Sequence, residues 1–160
     1  MIILVRVDDR LLHGQIICSW VPHLKADTLI VASDDAAADE LTSRIMEACS
    51  CKELYVTVMK VEDAVRRVHS IAGNGEGRVI LIVGRVKDAM KLYESGIRFD
   101  ALNLGNVHHD GGGRAVAASV ILNHEDEECI ERFASLGVAI DIRDVPTREP
   151  VEYRCGCEGH

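Results

Sequence analysis

Aromatic side chains and prolines are scarce here: one tryptophan (Trp20), three tyrosines, two phenylalanines and three prolines in 160 residues. A core without aromatics has to be built from Val, Ile, Leu and Ala. No stretch approaches the roughly 18 consecutive apolar residues of a membrane helix, and the first apolar run is broken by Arg6, Asp8 and Asp9, too early for a secretory leader. A cytoplasmic protein is therefore expected. Basic clusters are missing too. With 18 Lys and Arg against 26 Asp and Glu, the net charge of −8 argues against nucleic-acid binding and against direct attachment to an anionic membrane. In that compartment the six cysteines read as free thiols. Cys18 and Cys129 fall in helical patterns and are expected to be small core residues, and Cys49 and Cys51 to be buried at a helix-to-strand junction. Cys155, Cys157 and His160 have soft-metal ligand types but no second ligand pair, so residues 153–160 read as a short tail and no metal or other cofactor is expected.

What is present is an alternation of two periods. Apolar runs at 2–7, 28–32, 53–59, 78–83, 100–105 and 138–143 show little polar alternation, as strands covered on both faces do. Between them lie helical stripes: Ala37, Leu41, Ile45 and Ala48 in one helix over 35–50, then Val61, Val65, Val68 and Ala72, then Val86, Ala89, Met90 and Tyr93. Gly73, Gly96 and Gly137 are expected to close helices, and Asn123 to cap one whose first turn carries Glu125–Glu128. The expected fold is a single α/β domain, a three-layer sandwich with a mostly parallel central sheet and helices on both faces. Residues 106–122, with Gly111–Gly113, read as an irregular loop.

Ligands gather at the carboxyl ends of strands in such sheets. The first strand delivers Arg6, Asp8, Asp9, Arg10 and His13 to that edge, and Gly14-Gln15 opens a helix. His13 is the nucleophile available near neutral pH. Arg10 is placed to clamp an anion held on the imidazole, and Asp8 or Asp9 to take the proton of the other ring nitrogen and fix the tautomer. The plainer alternative is a capping His13 beside an Asp8–Arg10 pair. A second segment, Asn103 to Asp110, follows another strand and is expected to wall the same site, with Asn103 as a donor. His108 and His109 are metal-ligand types, but adjacent residues rarely converge on one ion. Arg85, after the fourth strand, is a further candidate cation for the rim.

The run Val5-Arg6-Val7-Asp8-Asp9-Arg10-Leu11-Leu12-His13-Gly14-Gln15 resembles the opening signature of IIB subunits of the mannose/fructose/sorbose class of the bacterial phosphoenolpyruvate-dependent sugar phosphotransferase system. Asn103-Leu104-Gly105-Asn106-Val107-His108 is similar to the second landmark of that family, and Val145-Pro146-Thr147 to its end; the likeness covers residues 1–152. It implies a mostly parallel sheet with one antiparallel edge strand. It also implies that His13 receives a phosphoryl group at Nδ1 from a IIA phosphohistidine and passes it to a sugar held by membrane IIC and IID subunits. Arg6, Gly14, Gln15, Asn103 and His108 complete the expected binding rim. Asn106 stands where relatives often have Gly, and the glycine loop and the tail lie outside the pattern. A regulatory carrier of the same fold, serving no transport, is the alternative.

Overall fold

In the computed structural model, which describes residues 1–75 and 77–156, strands β1 (Ile2–Asp8), β2 (Thr28–Ala32), β3 (Tyr55–Met59), β4 (Val79–Val83), β5 (Ala101–Asn106) and β8 (Ala139–Ile142) form one sheet in the order β3-β2-β4-β1-β5-β8. Every pairing in it is parallel. Each strand matches an apolar run within two residues. The expected antiparallel edge is reduced to a single bridge between Ile142 and Val151.

The helices are α1 (Val21–Leu24, entered through a π-helical turn at Ile16–Trp20), α2 (Asp34–Ala38), α3 (Glu40–Glu47), α4 (Val61–Asn74), α5 (Val86–Glu94) and α6 (His124–Ser135). One face of the sheet packs Val5, Val7, Leu81, Val83 and Leu104 against α4, α5 and α6. The other packs Leu29, Val31, Ile80 and Ile82 against Ile16 and Trp20. Because successive strand residues point to opposite faces, burying Val5 and Val7 on the first commits Arg6 and Asp8 to the second.

Several expectations are corrected. The helix over 35–50 is two helices, because Asp39 leaves helical geometry (φ −101°, ψ 103°) and its carboxylate accepts from Thr42 N to start α3. Leu41 and Ile45 then face solvent. Gly73 lies inside α4, which closes at Gly75 (φ 66°) instead. Cys18, Cys49 and Cys51 are exposed, and Cys129 is half-buried. Residues 106–122 contain a hairpin, β6 (Arg114–Ala117) with β7 (Val120–Leu122). Gly113 is needed at its entry, since a Cβ there would lie 2.6 Å from the Leu122 carbonyl oxygen.

The cap at Asn123 is a full capping box: its Oδ1 accepts from Asp126 N (2.8 Å) and the Asp126 carboxylate accepts from Asn123 N (3.2 Å). Asn123→Ala should lower stability by about 1 kcal/mol, read as a shift in urea midpoint at constant slope.

Candidate functional site

Asp8 is the last residue of β1 and fully buried. Its carboxylate organises the loop that follows. The backbone N–H of Arg10 donates to Oδ1 (3.0 Å) and that of Leu11 to the Asp8 carbonyl (2.9 Å), so the chain turns back at once. Leu11 holds a left-handed conformation (φ 58°), costly for a branched side chain by about 1–2 kcal/mol. The N–H groups of Ile16 and Ile17 then donate to the His13 carbonyl, and the helix begins.

This turn brings the His13 ring onto Asp8: Nε2–H donates to Oδ2 at 2.9 Å. Arg6 donates to the same oxygen through Nε (3.3 Å) and Nη2 (3.0 Å), and Arg10 to Oδ1 through Nε (3.2 Å). Burial pushes the Asp8 pKa up, but the hydrogen bonds from His13 and Arg10 and the charge of Arg6 outweigh it, leaving the group below the usual carboxylate range. Asp8 is thus ionised and holds the proton of His13 on Nε2. No hydrogen bond to Nδ1 is formed among the described residues, and the ring is about one-fifth exposed. Nδ1 is thus the ring nitrogen that this hydrogen bonding leaves available for chemistry.

The two arginines differ. Arg6 is fully buried, spread over Gly105 and 5.5 Å from the Trp20 ring; it donates to Asn103 Oδ1 (2.7 Å) and the Arg143 carbonyl. It cannot touch a substrate and instead fixes Asp8. Burial lowers its pKa, against the opposing charge of Asp8. The Arg10 side chain is 45% exposed and also reaches Gln15 Oε1 (3.3 Å), so it is the guanidinium an incoming anion can meet.

A sequence model of the PTS system sorbose subfamily IIB component matches residues 2–154. The chain belongs to this family. The fructose-specific EIIB component of Bacillus subtilis (strain 168) is 28% identical over 146 residues, 91% of this chain and 89% of that protein. The mannose-specific EIIAB component of Escherichia coli (strain K12) is 28% identical over 144 residues, 90% of this chain but 44% of its own. The crystal structure of the IIBSor domain of the Klebsiella pneumoniae sorbose permease superposes with a TM-score of 0.87 at 26% identity, covering 94% of this chain and 92% of that one. Phosphotransfer to sugar is thus the activity of the family. No helix among the described residues is long and apolar enough to cross a membrane.

Not every residue expected in the site of this IIB component is there. Asn103 is buried, donating to the Asp141 and Arg143 carbonyls (both 3.1 Å), so it supports Arg6 and does not line the rim. Asp9 turns away from His13. It accepts from His108 N (2.8 Å), pairs with His108 Nδ1 (3.2 Å) and receives the Asn106 amide, tying the β1 and β5 loops together. Asn106, the departure from the family pattern, thereby acquires a partner. Gly14 is exposed, with open space where a Cβ would stand. His109 pairs with Asp126, so it and His108 do not converge. Cys155 Sγ lies 2.6 Å from Glu131 Oε1; Cys157 and His160 lie outside the described residues.

Trp20, Asp141 and Arg143 are the contributors that sequence reasoning missed. The Arg6 and Arg143 guanidiniums each lie 5.5 Å from the Trp20 ring, whose Nε1–H donates to the Asp144 carbonyl (2.8 Å). The available signal was polar Asp141 and Arg143 alternating with apolar residues in the last strand. Because the Asp8 pKa is lowered in the folded state, its share of stability is complete above the unfolded carboxylate pKa, about 4. That share is lost as pH falls through the lower folded value. Unfolding free energy should therefore decline on acidification below about pH 4, and urea titrations of Asp8→Asn should show a shallower decline than the parent.

Proposed function

We propose that His13 is the phosphoryl carrier of this IIB component. Phosphate arrives from a phosphohistidine of a IIA partner: the donor's P–N bond breaks as a new one forms to His13 Nδ1. In the second step that bond breaks, returning the electron pair to Nδ1, while a hydroxyl oxygen of a sugar bound by membrane IIC and IID subunits takes the phosphoryl group and gives its proton to a base of those subunits or to water. The observation that carries this reading is the Nε2–Asp8 hydrogen bond of 2.9 Å, which leaves Nδ1 as the nucleophile. Asp8 continues to hold the Nε2 proton once Nδ1 is phosphorylated, balancing the positive charge of the ring. Arg10 meets the equatorial phosphoryl oxygens. Phosphoryl transfer of this kind needs positioning and charge stabilisation more than covalent chemistry from the protein.

The test is incubation with phosphoenolpyruvate, the general phosphotransferase proteins and a IIA protein of the same phosphotransferase class. An acid-labile, base-stable adduct with an Nδ1 phosphorus signal is expected; an adduct at another residue, or none, overturns the proposal. Arg10→Lys keeps the charge but loses the two-pronged grip. Single-turnover transfer should fall by about tenfold or more with little change in melting temperature, and equal rates in the two proteins would remove Arg10 from the site.

A further inference from the structure

We infer that the outer face of α3 is the docking surface for the phosphoryl donor. This assignment rests on the carrier role of His13. Its basis is a helix whose polarity is inverted. A surface helix ordinarily turns its apolar stripe to the core, yet in α3 Leu41 and Ile45 are 68% and 63% exposed. The side turned toward the protein carries Thr42, Ser43 and Met46. The orientation is locked: Asp39 caps the helix at Thr42 N, and Ser43 Oγ donates to the Ala36 carbonyl at 2.7 Å. An apolar patch held outward by its own hydrogen bonds marks an interaction site.

Its position connects it to the chemistry. β2 ends at Ala32, in register with Val83 of β4, which is in register with Val7 of β1. So α2 and α3 leave the sheet at the edge where Asp8 and His13 stand. A cleft of about 390 Å³ runs from Asp9 and Leu11 of the phosphoryl-accepting loop to Ala36, Asp39 and Thr42. The stripe begins on the far side of Thr42, bordered by exposed Asp35, Asp39 and Glu40, the last paired with Arg44 of the same helix.

Those carboxylates select the occupant. A donor with lysines or arginines around its phosphohistidine complements the acidic border and covers Leu41 and Ile45 as the apolar centre. A second copy of this chain would set one acidic border against another.

The test compares Leu41→Ser/Ile45→Ser with the parent, and with Tyr55→Ser as a control at an exposed apolar position on the edge strand β3. His13 phosphorylation is followed against concentration of a phosphorylated IIA protein of the same phosphotransferase class. The double variant should raise KM about tenfold or more and leave kcat within about twofold, with the control unchanged. Equal KM values, with the parent phosphorylated normally, overturn the docking surface alone; this includes the case in which only the later transfer to sugar at the membrane fails. A parent that takes no phosphate overturns both the carrier role and this assignment. A parent dimer dissociated by the substitutions, with KM unchanged, gives the face to a second copy and overturns it too.

Discussion

His13→Ala should accept no phosphate while unfolding like the parent, and Asp8→Asn should reduce transfer by roughly 10²- to 10⁴-fold even though the nucleophile remains. The second result is the more informative. Asp8 Oδ2 receives His13 Nε2 and Arg6, and Oδ1 receives Arg10. An asparagine has one acceptor oxygen for these donors. If its amide nitrogen faces His13 it donates to Nε2, moves the ring proton to Nδ1 and removes the lone pair that attacks phosphorus. If it faces Arg10 instead, two donors oppose each other. In either orientation the negative charge that balances a phosphorylated ring is gone. Removing that charge also leaves Arg6 buried and unpaired, at a cost of about 3–5 kcal/mol. Rates therefore have to be compared below the melting transition of the variant. Transfer within threefold of the parent would show that Asp8 is a structural ion-pair partner with no influence on the tautomer.

Gly105→Ala should be the most destabilising single-methyl change in the described part of the protein. A Cβ at this position would stand 2.0 Å from Cζ of Arg6 and 2.1 Å from its Nη2. A long side chain ordinarily swings aside, but this one is fully buried against Trp20, Asp8 and Asn103. Yielding means breaking the Arg6–Asp8 pair, so a loss of about 3–5 kcal/mol is expected, measured by urea denaturation. Arg6→Met removes the guanidinium and with it the clash. The double variant should therefore lose clearly less than the two single losses added together. Simple additivity would mean that the backbone of β5, and not Arg6, absorbs the methyl group.

The pattern of apolar runs was enough to place the six sheet strands, because a strand buried on both faces has to be apolar along its length. The segment from Arg6 to Gln15 was enough to make His13 the candidate nucleophile, because so many charged groups at the end of a buried strand are legible without neighbours. Local chemistry also disclosed the cap at Asn123. Other features depended on partners far along the chain. Arg6 and Asn103 looked like substrate contacts until the register of β1 with β5, and of β5 with β8, stacked Arg6, Asn103 and Asp141 side by side on one buried face. The division of labour between Asp8 and Asp9 was likewise invisible. Adjacent residues leave a strand end in different directions, and only the position of His108 shows where the second one goes. Leu41 and Ile45 had the spacing of a core stripe, and a single capping aspartate at position 39 turned them to solvent. The apolar runs along the chain thus determined which segments form the buried sheet. Strand register and helix rotation, which depend on contacts between residues distant in sequence, decided which charged groups reach the edge where His13 stands and which lie beneath it.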